Sequence, residues 1–505
     1  MWGSGDTPEI TDRLGWLDLP RAMSDKIADW RQFADTVRDG IFTDVLLLGM
    51  GGSSLASEMF QAVFGNSEQS PFLRILDSTH PNAVTAMAES LDLSTTLFVI
   101  SSKSGGTVET LSGYSYLRDL VEQAVGAEQA SAGFIAITDP GTPLEKMAQE
   151  NRFRRIFLNP LDIAGRYSVL SYFGLVPAAL AGIDITTLID RADRMRESCA
   201  SSVAAHDNPG AYLGAILGTL AQKGRDKATL VTSPAINSFG LWAEQLLAES
   251  TGKEGTGIIP VAGEPLMDPA AYGDDRLFIY LRLEGDDNSA TDEALDQIQA
   301  AGQPVVRLEL QDQYDLGAEF FRWEFATSVA GALLGIHPFN QPNVQSAKDK
   351  TTAVLQSYQS TALLPGKDAS DSLHNLLDKA RPGDYLAIMA YLKPTPEVDH
   401  ALNALRKRVV ERYRIATTLG YGPRFLHSTG QLHKGGPDTG LFLQIMTEHR
   451  EDIPIPGELY GFATLAQAQA LGDIQVLAAL GRRVARVHID TGVEAYIHAL
   501  ARSLA

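Results

Sequence analysis

The residues best able to do chemistry sit in two short stretches of hydroxyls and glycines. SSKSGGTVET, residues 101–110, follows the apolar run TLFVI and leads into helical periodicity, so several hydroxyls and free amides gather at a helix start. Such a nest holds a phosphate monoester, because the amides point at the anion and the helix dipole favours its charge. Thr107, Glu109 and Thr110 would also serve as ordinary helix capping there. GMGGSS, residues 49–54, lies between the run DVLLL and a helix with Leu55, Met59 and Val63 on one face. Glycines let that backbone turn tightly and come close to a ligand. Strand, glycine turn and helix also open a dinucleotide fold, with Asp77 after the next strand as ribose ligand, but the sixth fingerprint position is Ser54. A plain tight turn is the third reading. A dinucleotide domain needs no second hydroxyl nest, whereas a sugar-phosphate pocket does.

The elements that must position these groups follow from periodicity. From Thr43 onward short apolar runs alternate with helical stretches, the rhythm of buried parallel strands joined by crossover helices. The first cycle spans residues 1–155. A second, 156–350, begins with RIFLN and closes on FFRWEFATSVAGALLG; a smaller α/β unit, 351–505, follows the polar stretch SYQSTALLPGKDASDS. Residues 319–335 and 458–472 both place an aromatic–Phe–Ala–Thr helix after an apolar strand, a hint of distant duplication. At 505 residues the chain is too long for one core.

Apolar residues make up 44% and charged residues 21%, the balance of a globular chain. With 42 basic and 62 acidic residues the net charge is −20, which argues against a nucleic-acid partner but not against a small anion in a local pocket. Cys199 is the only cysteine, so no internal disulfide or cysteine metal site is available, and no metal is expected. The opening MWGSGDTPEITDR has neither a basic start nor an apolar stretch, and no apolar run approaches a membrane span. A cytoplasmic protein away from the membrane is the expectation.

The two hydroxyl stretches resemble those of the sugar isomerase fold, and within it the glucose-6-phosphate isomerase family. GMGGSS is similar to that family's Gly-x-Gly-Gly-Ser sugar-binding turn, and SSKSGGTVET to its Ser-Lys-Thr-x-Thr-Thr-x-Glu-Thr phosphate loop. The match implies that Gly51, Gly52 and Ser53 meet the sugar and that Ser102, Lys103, Ser104 and Thr107 hold the phosphate, with Gly106 costing one hydroxyl. Three further stretches carry the resemblance through about two thirds of the chain. GRYS, 165–168, resembles the segment whose arginine faces the reacting carbons, which gives Arg166 the charge of an enediolate to stabilise. WAEQLLAESTGK, 242–253, resembles Gln-x-x-x-Glu-Ser-Asn-Gly-Lys; Gln245 and Glu249 are four apart and share a helix face, so the amide would fix a hydroxyl while Glu249 acts as general base. Glu244 reads as solvated.

HPFNQPNVQSAK, 337–348, resembles Phe-Asp-Gln-x-Gly-Val-Glu-x-x-Lys, with Asn340 in place of Asp. Pro342 suits the first position of a helix, with Gln341 as its cap and Lys348 returning to the same face; both would contact the phosphate end or ring oxygen. No histidine occurs between residues 255 and 336, where the family carries its ring-opening histidine. STGQLHKGGP, 428–437, before the run GLFLQIM, resembles the segment that carries it and assigns the role to His433, as in the isomerase half of fused transaldolase isomerases.

The resemblance implies two doubly wound parallel-sheet sugar isomerase domains with a smaller C-terminal α/β unit. It implies an aldose–ketose isomerase for a hexose phosphate that works without cofactor, and it leaves assembly with further copies of the chain open. A non-catalytic sugar-phosphate sensor and a nicotinamide-dependent dehydrogenase are the alternatives.

Overall fold

The computed structural model describes residues 7–361, 363–364, 371–447 and 452–504, so part of the polar stretch after residue 357 lies outside it. Among the described residues three parallel sheets order the chain. The first runs β2-β1-β3-β4-β5, with β1 Asp44–Leu48, β2 Phe72–Leu76, β3 Thr96–Ser101, β4 Phe134–Thr138 and β5 Arg155–Leu158. The second runs β7-β6-β8-β9, with β6 Lys227–Thr232, β7 Ile259–Ala262, β8 Arg276–Leu283 and β9 Val305–Leu310. The third runs β11-β10-β12-β13, with β10 Tyr385–Tyr391, β11 Ala416–Tyr421, β12 Gly440–Thr447 and β13 Arg483–Ile489.

All strand pairings within these sheets are parallel. Each sheet opens with the same order: its second strand, first, third and fourth. The helices of the hinted duplication stand at different places in that winding, Leu316–Leu334 after the fourth strand of its sheet and Phe462–Ala479 after the third, so the topology does not match them.

Continuous apolar runs such as DVLLL and TLFVI form β1 and β3 because helices cover both faces of a parallel sheet. Two details depart from the periodicity. The run RIFLN forms β5, which pairs with β4 and therefore closes the first sheet instead of opening the second. ATTLGY forms the edge strand β11, whose threonines, glycine and half-buried last residues masked it in the sequence.

The three sheets do not stand apart. One apolar core joins the N-terminal helices to one side of the first sheet and to the second, through residues such as Trp16, Phe60 and Phe320. Another joins the opposite side of the first sheet to the third unit, Phe98 and Phe134 sharing it with Phe442 and Leu465. Among the described residues no helix is long and apolar enough to cross a membrane.

Candidate active site

Parallel sheets present ligands at the carboxyl ends of their strands, where loops turn into helix starts. The turn after β3 leads into the helix Val108–Val125, whose flanking residue Thr107 has extended backbone angles and makes no side-chain cap. Its first-turn amides are left for a ligand. Ser102 Oγ lies 2.9 Å from Thr107 Oγ1, and the Gly106 amide donates to Ser104 Oγ at 3.4 Å. Gly105 must be glycine: its φ is +67°, and a Cβ would strike Thr142 at 2.6 Å. Lys103 is ion-paired with Asp139, so its cation is already neutralised.

The turn after β1 is a meeting point of backbones. A Cβ on Gly52 would lie 2.0 Å from the Gly165 carbonyl oxygen, and one on Gly51 (φ +53°) would lie 2.5 Å from that of His427. Only glycines let these strands of chain approach. Ser53, next in line, is mostly buried, and its carbonyl accepts the Ser101 hydroxyl at 2.7 Å.

Glu249 ends this chain of contacts. It lies near the C-terminus of the helix Phe239–Thr251, one turn after Gln245. Gln245 Nε2 donates to Glu249 Oε2 at 3.1 Å and to the His427 carbonyl at 2.8 Å. Arg166 Nη1 lies 3.1 Å from Glu249 Oε1. The guanidinium is 2% exposed, and its other donors reach Ser250 Oγ, Gln341 Oε1 and the carbonyls of Pro338 and Asn340 at 2.7 to 3.1 Å. So fixed a fork can present charge without reorganising. Gln341 and Pro342 are not helical as expected, because the helix starts at Val344. Asn343 is instead pinned by Gln431, whose amide oxygen accepts from the Asn343 N–H and whose nitrogen donates to Asn343 Oδ1.

The third unit buries the expected histidine and places another beside the cavity described below. His433 lies in the buried segment Gly430–Gly435, its ring packed 5.9 Å from Phe425 and 5.1 Å from Phe442, with Nδ1 lacking a hydrogen-bond partner. Burial, with Lys434 and Arg482 nearby, holds its pKa well below the usual imidazole range. His427, six residues upstream, takes the open position. Its Nε2 lies 2.8 Å from Glu109 Oε1, which also accepts from Gln469 Nε2 at 2.7 Å. Burial would raise the Glu109 pKa, but the charge and hydrogen bond of His427, helped by Lys348, outweigh it and hold the carboxyl below its ordinary value.

A cavity of about 400 Å³ lies between the start of the helix Val108–Val125, the helix Val344–Thr361 and the third unit. Thr107, Glu109, Lys348, His427, Tyr460 and Gln469 line it. Glu249 and Arg166 are outside this lining and connect to it through Gln245. Of the residues singled out in the sequence, Thr107 and Lys348 face the cavity, and Arg166, Gln245, Glu249 and Gln341 form one bonded cluster beside it. Glu109 was readable only as a cap, while His427 and Gln469 had no local signal. Asp77 is held by Arg424 at 2.6 Å and is therefore not a free ribose ligand. Glu244 is buried, not solvated; burial raises its pKa to about 8 against the opposing charges of Arg406 and Arg424.

The profile of the family described as phosphoglucose isomerase matches residues 18–258. A glucose-6-phosphate isomerase of Staphylococcus aureus strain Mu3 is 30% identical over 391 residues, covering 68% of this chain and 87% of that protein. This chain belongs to the phosphoglucose isomerase family. A second family member, the glucose-6-phosphate isomerase of Staphylococcus saprophyticus, is 29% identical over the same shares of both chains. Among solved structures, a hypothetical protein from Thermus thermophilus shares the fold with a TM-score of 0.62 at 23% identity, over 69% of this chain and 91% of that one. The glucose-6-phosphate isomerase from Chlamydia trachomatis does so with a TM-score of 0.56 at 18% identity, over 68% and 75%. The family profile ends before β7, so the third unit that supplies His427 lies beyond it.

Proposed function

We propose that the chain is an aldose–ketose isomerase that interconverts glucose 6-phosphate and fructose 6-phosphate through a cis-enediolate, with Glu249 as the base. The observation that carries this reading is the cluster in which the Glu249 carboxylate sits between the Gln245 amide and the Arg166 guanidinium, beside a hydroxyl nest. The phosphate is held by Ser102, Ser104 and Thr107 with the amides of the helix start, and Lys348 adds charge. Binding energy from that end fixes the carbons that react. His427, oriented by Glu109, opens the ring by moving a proton between the anomeric hydroxyl and the ring oxygen. Glu249 then removes the proton from C2, the carbonyl oxygen on C1 takes up the negative charge beside Arg166, a proton passes from the C2 hydroxyl to O1, and Glu249 returns its proton to C1 as the C2 carbonyl forms, which gives the ketose. Every step is a proton transfer that side chains carry, so the reading calls on no cofactor. A cytoplasmic setting belongs to the same proposal.

A coupled assay that follows fructose 6-phosphate conversion, run with and without EDTA, tests it. Equal turnover in both is expected. Loss of conversion with EDTA would overturn the metal-free mechanism, and no conversion in either would overturn the isomerase reading.

A further inference from the structure

Lys253 closes the stretch WAEQLLAESTGK, yet the chemistry above leaves it without a task. A lysine is ordinarily a solvated point charge, and taking one out of water is costly unless the protein has a use for it. This one is 1% exposed. Its backbone is fixed just past the helix Phe239–Thr251, where its N–H donates to the carbonyls of Thr251 and Thr256 at 2.9 and 3.1 Å. From there Nζ reaches across to residues 337–340. It donates to the His337 carbonyl at 2.7 Å, the Asn340 carbonyl at 2.5 Å and Asn340 Oδ1 at 3.1 Å.

The Asn340 carbonyl is also an acceptor for Arg166 Nη2, at 3.1 Å, and the next residue, Gln341, accepts from Arg166 Nη1 at 2.9 Å. Two buried basic side chains therefore grip one loop from two sides and share an oxygen. The charged groups acting on Nζ are Arg166 from the turn at 165–167, Glu249 from its own helix, Glu254 from the following turn and Glu9 from the N-terminal segment. Burial and Arg166 push the ammonium down to about 6 while the three carboxylates oppose them, so the position is kept at a cost.

We propose that Lys253 is a positioning residue for the isomerisation: through residues 337–341 it sets where Gln341 and the Arg166 guanidinium stand relative to Glu249. The inference rests on the isomerase reading. Besides Ser250 Oγ and Glu249 on the helix, the acceptors that place Arg166 are the Pro338 and Asn340 carbonyls and the Gln341 side chain, all on a non-helical loop that Lys253 ties to the end of that same helix. Misplacement of a catalytic constellation by about 1 Å costs on the order of 10²-fold in rate.

The test compares Lys253→Met and Lys253→Gln with the parent chain, with folded protein concentration fixed by absorbance and circular dichroism. The Met variant is expected to lose about 10²-fold in kcat with KM within about threefold, and to lose affinity for a sugar hydroxamate phosphate in parallel with kcat. The Gln variant keeps two N–H donors and is expected to recover about tenfold of that loss, leaving kcat about tenfold below the parent. A Met variant within about threefold of the parent in kcat, or one that changes only KM, overturns the proposal. If the Met variant does not fold, the Gln variant decides alone: kcat lowered about tenfold at unchanged KM supports the role, and parent-like kcat overturns it. A parent chain that converts no fructose 6-phosphate refutes the isomerase reading itself, which separates the two failures.

Discussion

The first two sheets and the third unit build the candidate site in different ways. The first two bring their groups on local devices: a glycine turn after β1, a hydroxyl turn after β3, and two residues one helical turn apart on Phe239–Thr251. The third brings His427 on a short turn, Arg424–His427, whose value lies in what it meets from elsewhere in the chain. Arg424 at the head of that turn grips Glu58 at 2.7 Å and Asp77 at 2.6 Å from the first unit, and three residues later His427 meets Glu109. A docking ion-pair cluster and the proposed ring-opening group thus share one turn. Chemistry drawn from local motifs survives as sequence signal, while chemistry drawn from docking is set by packing.

The largest expected effect falls on the first side of that comparison. Glu249→Gln keeps the shape and loses the base, so turnover measured by coupled assay should drop roughly 10²–10⁴-fold with substrate binding retained. Activity within about tenfold of the parent would remove Glu249 from the role. On the docking side, Arg424→Met should strand the buried Asp77 and the half-buried Glu58 carboxylates and lower stability by roughly 3 kcal/mol in denaturant unfolding. A loss below about 1 kcal/mol would show that the turn is held by apolar packing alone.

His427→Ala should slow conversion of the cyclic hexose phosphate by about 10–10²-fold, less than the loss of the base because rings also open in water. Binding of an open-chain hydroxamate phosphate should be nearly unchanged. His433→Phe is the matched control: it fills the same aromatic site between Phe425 and Phe442 and should leave turnover within about twofold. Its signature is in stability. His433 stays neutral in the fold but takes up a proton when unfolded below about pH 6.5, so the parent loses stability as pH falls through that value. The Phe variant should lack that part of the acid loss in unfolding curves at pH 5 and pH 7. Identical pH dependence in both chains would mean that His433 is not buried as described.

How much of this was legible follows the same division. The α/β class and most strands were readable because buried parallel strands are short apolar runs, and Glu249 with Gln245 because their stretch resembles a family motif and helix spacing puts the two on one face. The dyad of His427 and Glu109 was not, since its members stand 318 residues apart, Glu109 reads only as a helix cap and His427 has no local pattern around it. His433 drew attention because glycines and an apolar strand surround it, but those same features bury it against Phe442. β11 escaped for lack of an apolar run, and Lys253 because its worth depends on a loop that begins at residue 337.

The central claim is that the first two sheets and the third unit complete one site within a single chain, and mixing two disabled chains tests it directly. Glu249→Gln and His427→Ala chains are unfolded together, refolded and assayed on cyclic fructose 6-phosphate. The account predicts no more activity than the sum of the two chains refolded separately, because each chain carries its own defect in its own site. Severalfold recovery in the mixture would contradict it, since only a site that pairs Glu249 of one chain with His427 of another could regain both.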